Sequence, residues 1–203
     1  MKALWLFLIG IPLCFNGYAQ KVFSEGTIVY NVSVISGKSE PGIADAFDGA
    51  TLTVYMKATD VRSDFKSILM TQSIIYNAKD SSAVKLKESG QQKYMTYLNS
   101  GQWIQYNHKY DGIRFAYQND NKNIAGYNCK KAVGTLKDGG QIVVYYTPDL
   151  VALAPGYEYE FKNLPGMPLE YEVTSGKIVV KYTAASIQFS AVNASKFDFS
   201  IFI

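Results

Sequence analysis

Alternation of apolar and polar residues is the pattern that most constrains how this chain folds. Within residues 26–34, every even-numbered position from Ile28 to Val34 is apolar, and the positions between them are mostly polar. Successive side chains of a strand point to opposite faces, so this run predicts a strand with one buried and one wet face. The same alternation returns in Tyr157–Phe161 and Leu169–Val173, where glutamates separate the apolar residues.

Short β-type runs separated by turn signals fill most of the chain. The 16 tyrosines and 11 phenylalanines suit a half-buried pleated surface. Further strands are predicted near 50–58, 61–66, 68–77, 82–88, 92–98, 102–108, 112–118, 127–136 and 140–147. Turn residues lie between many of these runs, among them 77–80, 99–101 and 119–121. Residues 36–49 are the predicted long loop, with one helical turn around 43–47. The sequence therefore predicts a mainly β fold with an antiparallel meander.

The C-terminal part predicts a hairpin with charges facing across it. Lysines of Lys177–Tyr182 would face the glutamates of the preceding strand. The alternation also predicts that Glu158, Glu160, Glu170 and Glu172 face solvent. The apolar end of the chain, 197–203, is predicted to be the last strand of the sheet.

The first residues have the three-part layout of a secretory signal. Lys2 precedes an apolar run over 3–15, and small residues lead to Ala19. We therefore predict a cleaved signal peptide at 1–19 and a single domain at 20–203. The protein is expected to be exported, either to the periplasm of a bacterium with an outer membrane or to the medium. No later run is apolar enough to predict a membrane span.

Few residues of this sequence suggest catalysis, metal binding or nucleic-acid binding. The net charge is only +3 and forms no basic stripe, which argues against a nucleic-acid partner. His108 is the only histidine, and no metal-ligand spacing surrounds it. Cys129, the one cysteine beyond residue 19, is predicted to be a buried apolar residue. A glycosidase-like pair among the four glutamates is the weaker alternative to a solvated face. We predict no enzyme, no metal and no cofactor.

Four segments of the chain resemble, in the same order, segments of a family of exported bacterial proteins. They are 23–30, 124–132, 144–150 and 164–170 (Leu164-Pro165-Gly166-Met167-Pro168-Leu169-Glu170). The chain resembles the GLPGLI-type proteins and related domains of unknown function. Asn163 stands at the position of the first glycine of that signature, and Met167-Pro168 replace its Leu-Ile, which favours the related uncharacterised branch.

The resemblance implies a fold similar to the lipoprotein-localisation factors LolA and LolB. Such a fold is one strongly curved antiparallel sheet, an incomplete β-barrel, with one or two short helices or loops over its concave face. The implied function is binding of a hydrophobic ligand, such as a lipid or a lipoprotein acyl chain, in that face. The candidate lining residues are Ile28, Tyr30, Val32, Leu52, Val54, Tyr145, Tyr159, Phe161, Leu169 and Tyr171.

An envelope protein–protein interaction module with a filled core is the alternative function. Exposed aromatic residues or an edge strand would then bind an envelope partner. Trp103–Tyr106 and the apolar end at 197–203 motivate this alternative.

Overall fold

The computed structural model describes residues 20–36, 47–175 and 178–200. One sheet of eleven antiparallel strands dominates it, in the order β7-β6-β5-β4-β3-β2-β13-β12-β10-β9-β8. The strands of this sheet are β2 (Glu25–Ser36), β3 (Thr51–Lys57), β4 (Asp60–Lys66), β5 (Thr71–Asn77), β6 (Ser82–Ser89), β7 (Gln92–Leu98), β8 (Arg114–Ile124), β9 (Tyr127–Thr135), β10 (Gln141–Thr147), β12 (Met167–Ser175) and β13 (Ile178–Gln188). Strands β1 (Lys21–Phe23) and β11 (Leu150–Ala152) form a separate parallel pair.

The sheet curves strongly but does not close, because β7 and β8 remain its two edges. The predicted mainly β, curved antiparallel sheet is therefore confirmed. The predicted signal peptide at 1–19 and most of the predicted helical turn at 43–47 lie outside the described residues. Within the part of the chain that the structure describes, no helix is both long and apolar enough to cross a membrane.

Alternating side chains bury the concave face of the sheet. In β2, the even-numbered residues from Ile28 to Val34 are nearly inaccessible to solvent, as the alternation predicts. One cluster of buried residues takes side chains from both halves of the sheet, including Val54 of β3, Val144 of β10 and Leu169 of β12. Side chains so far apart in the strand order meet because the sheet curves around them.

The predicted hairpin of β12 and β13 is present, and its charges face each other. Glu172 pairs with Lys181 in the strand register. The Nζ atom of Lys181 lies 3.4 Å from the Glu172 carboxylate and 3.2 Å from that of Glu170. Glu170 is nevertheless almost fully buried, at 3% exposure, so the prediction that it faces solvent is wrong. Its carboxylate accepts further hydrogen bonds from Lys122 and Thr183, which replace the water that burial removes.

Two segments predicted as strands instead form the cover of the concave face. Residues of the predicted strand 102–108 belong to helix α1 (Ser100–Tyr106) and the 3₁₀ turn His108–Tyr110. Helix α1 begins with a capping box, in which the Asn99 side chain accepts from the Gln102 backbone N–H and the Gln102 side chain accepts in return from the Asn99 N–H. These two hydrogen bonds satisfy backbone N–H groups at the start of the helix, which have no carbonyl partner within the helix.

The second covering segment contains Tyr157–Phe161. It forms the 3₁₀ turns Pro155–Tyr157 and Tyr159–Phe161, so the strand suggested by its alternation is wrong. Proline fixes the backbone at the start of the first turn and donates no ladder hydrogen bond, which favours a turn over a sheet strand.

The predictions for residues 119–121 and for the C-terminal run also differ from the structure. The predicted turn at 119–121 lies inside β8, which runs past it with a register shift between Tyr117 and Asn121. A final strand is predicted at 197–203, but the described residues of this range, 197–200, do not form a strand. The 3₁₀ turn Ala194–Phe197 stands there instead, and Phe197 and Phe199 pack on the convex face against Ile75, Val84 and Leu86.

Candidate functional site

A cavity of about 430 Å³ lies between the concave face and its cover. Leu52, Val54 and Ile74 form an apolar floor on β3 and β5. The rest of the wall comes from α1, the 108–110 turn, the 155–161 segment and neighbouring strands: Ser63, Trp103, Tyr106, Asn107, Lys109, Tyr110, Tyr157, Glu158, Glu160 and Tyr171. The cavity therefore has an apolar floor and a polar, aromatic roof.

Hydrogen bonds and ring contacts hold the roof in place. The Trp103 indole N–H donates to the Gly156 carbonyl at 3.2 Å, which joins α1 to the 155–161 segment. The Tyr159 hydroxyl donates to Asp111 at 2.8 Å, which joins the same segment to the end of the 108–110 turn. Trp103 also packs against Tyr76 of β5, with ring centroids 5.5 Å apart. These contacts come from three different elements, so the roof has a defined position above the sheet.

Two carboxylates of the roof line this cavity. Glu158 links the two 3₁₀ turns of the segment, and Glu160 lies within the second turn. Both line the cavity and are only partly exposed, so they do not belong to the solvated outer face that the alternation predicts. Among residues 20–36, 47–175 and 178–200, no lysine or arginine forms an ion pair with either carboxylate.

Burial controls the protonation of this pair. Removal from water and, to a smaller degree, the nearby Glu160 raise the pKa of Glu158 to about 8. Burial also raises the pKa of Glu160, against a partial lowering by Lys109. Glu158 therefore holds its proton at neutral pH when the cavity contains no cation.

Tyr157 is the least satisfied polar side chain of the roof. Its hydroxyl is buried and forms no hydrogen bond with any described residue. It lies near the Glu158 carboxyl, close enough to lower the pKa of Glu158 slightly, but outside hydrogen-bonding geometry. Tyr157 and Glu158 also line a second, smaller and mainly apolar cavity of about 180 Å³ beside Phe161, Leu164 and Met167. These two residues thus stand in the wall shared by both cavities.

The structure brings some of the ten predicted lining residues together. Leu52, Val54 and Tyr171 line the larger cavity, and Phe161 lines the smaller one. Ile28, Tyr30 and Leu169 are fully buried in the core, where they pack against other side chains. Val32 belongs to a separate buried cluster with Phe65 and Ile178.

The last two predicted lining residues lie outside both cavities. The Tyr145 hydroxyl donates to Asp120 at 2.8 Å, and its ring lies near Lys122 and Lys131. Tyr159 lies on the cover, bound to Asp111, with Lys162 stacked over its ring.

The polar half of the cavity was missed because its residues come from the two segments interpreted as strands. Two signals in the sequence point to their real conformation. Pro155-Gly156 and Pro165-Gly166 bracket the glutamates, and such dipeptides mark turns. Asn99 and Gln102 have the spacing of a capping box, which predicts a helix start.

Other groups with chemical potential lie away from this cavity. His108 is exposed, and its Nδ1 lies 2.8 Å from the Gln105 carbonyl. Cys129 is fully buried, as predicted, and burial together with Glu170 and Asp149 raises the pKa of its thiol to about 12. Within the described ranges, no three or more His, Cys, Asp and Glu side chains group in a way that would hold a metal ion.

Comparison with known proteins gives a weak similarity of fold. No family model and no curated protein matches the chain. The structure of PNGF-II in space group C2 matches with a TM-score of 0.49 and 17% identity, over 86% of this chain and 30% of that one. The crystal structure of MucB matches with a TM-score of 0.45 and 8% identity, over 86% of this chain and 57% of that one. The chain thus spans less than two thirds of either, and the resemblance to GLPGLI-type proteins stays a prediction.

Proposed function

We propose that this protein binds a small hydrophobic or amphiphilic ligand in the cavity of its concave face and catalyses no reaction on it. The observation that carries the proposal is the cavity itself, with its apolar floor under a fixed roof. Its volume of about 430 Å³ falls within the range of small-molecule sites, roughly 300–1,000 Å³. This size suits a single short acyl chain or a ring compound.

The apolar floor supplies the affinity in this proposal. A ten-carbon tail over Leu52, Val54 and Ile74 gains roughly 8 kcal/mol at about 0.8 kcal/mol per buried CH₂ group. Part of this gain offsets the loss of tail and whole-molecule freedom on binding. We therefore expect dissociation constants on the order of 10 to 100 µM for simple ten-carbon probes.

The other groups with catalytic potential lie away from the cavity, which favours binding over catalysis. The buried thiol of Cys129 and the exposed His108 do not line the cavity. The exported location predicted from residues 1–19 is part of the same proposal.

Trp103 provides a direct test, because it lines the cavity and the chain contains only one other tryptophan, Trp5. In a Trp5→Phe chain, the fluorescence of Trp103 alone reports titration with decanol. We expect a saturable change. Ser63→Phe, which places a ring in the cavity, should weaken decanol binding at least tenfold.

The matched control is Ser33→Phe. Ser33 is exposed, on the face of β2 opposite its buried residues, so the same substitution there should leave binding unchanged. Thermal unfolding checks that both variants are folded. A folded Ser63→Phe variant that binds decanol as tightly as the parent chain contradicts the proposed site.

A second candidate function follows from the unequal edges of the sheet. Edge strand β8 carries a register shift and polar residues such as Asp120 and Lys122, features that discourage strand addition. Edge strand β7 instead exposes Tyr94, Met95 and Tyr97. A partner that adds a strand would therefore pair with β7.

A lysine scan of the two edges tests this second function. The variant Tyr94→Lys/Tyr97→Lys should lose any partner captured from an envelope extract. Tyr117→Lys, at the similarly exposed β8 edge, should retain it. Equal capture by all three chains contradicts pairing at β7.

A further inference from the structure

Among the described residues, the roof of the larger cavity contains two carboxyls without an ion pair and one buried hydroxyl without a hydrogen bond. Glu158 and Glu160 form no ion pair with the described lysines and arginines, and the Tyr157 hydroxyl forms no hydrogen bond with the described residues. Buried polar groups are normally paired, and an unpaired one marks a place where a ligand or water binds. The three side chains belong to one four-residue stretch and line the same cavity.

Aromatic rings surround these acidic groups. Trp103, Tyr106 and Tyr110 come from the helical side of the roof, and Tyr171 comes from β12. One of these rings already contacts a cation, since Nζ of Lys109, which also lines the cavity, lies 4.6 Å from the centre of the Tyr110 ring. Carboxylates combined with aromatic faces are the protein groups that attract an ammonium ion.

We propose that the cavity selects amphiphiles with a protonated primary amine, whose ammonium group lies between Glu158 and Glu160. The Tyr157 hydroxyl accepts one of the ammonium N–H groups, and the apolar tail extends over Leu52, Val54 and Ile74. A buried cation here supplies the ion-pair partner that neither carboxyl has among the described residues. This inference rests on the proposed ligand-binding function and names the class of its ligand.

The titratable groups around Glu158 and Glu160 predict that amine binding is coupled to the release of a proton. Lys109 on the 108–110 turn and Lys162 beside the smaller cavity are the cations of the surrounding walls. Burial raises the pKa of Tyr30, Tyr110, Tyr157, Tyr171 and Tyr182, so these tyrosines are neutral near pH 7. Glu158 is then protonated at pH 7, and it loses this proton when an ammonium ion binds beside it. Amine binding at pH 7 should therefore release up to one proton, and affinity should rise as the pH increases towards about 8.

Four probes with the same ten-carbon chain test the inference: decylamine, decyltrimethylammonium, decanol and decanoate. Trp103 fluorescence of the Trp5→Phe chain gives their affinities at pH 7.5. We expect decylamine to bind at least tenfold more tightly than decanol or decanoate. The trimethyl compound has no N–H to donate to Tyr157, Glu158 or Glu160, so it should bind more weakly than decylamine. Tyr157→Phe should reduce this difference without removing it, because decylamine still donates to the two carboxylates.

The variant Glu158→Gln/Glu160→Gln should reduce the ratio of decylamine to decanol affinity to about one. Each single substitution should reduce it in part, which keeps the test available if the double variant does not fold. Glu172→Gln on the outer face is the control and should keep the parental ratio. Calorimetry of decylamine binding in two buffers of different ionisation enthalpy should detect the released proton.

The probes separate failure of this inference from failure of the proposed function. If decanol or decanoate binds as tightly as decylamine, the cavity binds ligands but the amine selectivity is wrong. If none of the four probes binds, the proposed function and the inference resting on it are both overturned.

Discussion

Glu158 couples the cavity to the stability of the fold. Its pKa of about 8 in the folded chain lies well above that of an exposed glutamate, about 4.3. Between these two values the folded state binds a proton that the unfolded state has lost. The free energy of unfolding therefore falls as the pH rises through this window, by about 1.4 kcal/mol per unit from one such group.

Glu158→Gln should flatten this pH dependence, because glutamine cannot lose a proton. We expect the variant to match the parent chain near pH 5 and to exceed it in stability above pH 8. Urea unfolding at a series of pH values measures the effect. Glu88→Gln is the control, since Glu88 forms only a surface ion pair with Lys93 and should leave the profile unchanged. A Glu158→Gln profile that parallels the parent's would contradict the buried state of Glu158.

Gly166 is required by a close contact of the backbone. It is not among the glycines with positive φ, so backbone conformation is not what requires glycine there. A Cβ atom at this position would instead overlap the carbonyl oxygen of Thr147 and lie 2.9 Å from the Tyr146 ring. The glycine therefore allows the chain to pass close to the end of β10.

Gly166→Ala should lower the free energy of unfolding by about 1 to 3 kcal/mol, the usual cost of overpacking. Gly101→Ala is the matched control with the opposite sign. Its nearest neighbour would be Asn99 Oδ1 at 3.5 Å, and alanine favours helix α1 by roughly 0.5 to 1 kcal/mol. Urea unfolding at fixed pH measures both, and a stabilising Gly166→Ala would contradict the close contact.

At the scale of elements, the β8–β9 hairpin has a turn that its sequence suits only in part. Ala125 and Gly126 both have positive φ, 49° and 87°, as a type I′ turn requires. Glycine accepts this conformation freely, whereas alanine is strained in it by roughly 1 to 2 kcal/mol. Ala125 is therefore a weak point in an otherwise regular hairpin.

Ala125→Asn should raise the free energy of unfolding by about 0.5 to 1 kcal/mol, because Asn-Gly is the preferred type I′ pair. Ala116→Asn in the middle of β8 is the control and should be destabilising, since asparagine disfavours strands. Chemical unfolding of both variants gives the comparison. Equal changes in the free energy of unfolding at positions 125 and 116 would contradict a specific effect of the turn conformation.

The strands were predictable because alternation reports which face of a strand is buried. β2 follows it directly, and the predicted pairing of β12 with β13 brings Lys181 to Glu170 and Glu172. Alternation does not report backbone conformation, so Tyr157–Phe161 imitates a strand although tertiary contacts fold it into 3₁₀ turns. The candidate site was only half predictable for the same reason: its apolar floor lies on strands, and its acidic roof lies on the cover.

At the scale of the whole molecule, the interior is neither empty nor completely filled. Most inward side chains, such as Tyr30 and Leu169, pack against each other, as in a closed core. Where α1 and the 155–161 segment bridge the sheet, the packing stops and the cavity begins. A binding function and a stable core thus occupy different parts of the same concave face.

Entry of an apolar ligand into this cavity can be observed directly in a crystal structure with 10-bromodecan-1-ol. The bromine atom gives an anomalous signal that locates the tail independently of the protein density. We expect a bromine peak over the floor formed by Leu52, Val54 and Ile74, beneath Trp103 and Tyr171. A bromine peak found only outside the concave face, or a cavity closed by its own side chains, would contradict the proposed site.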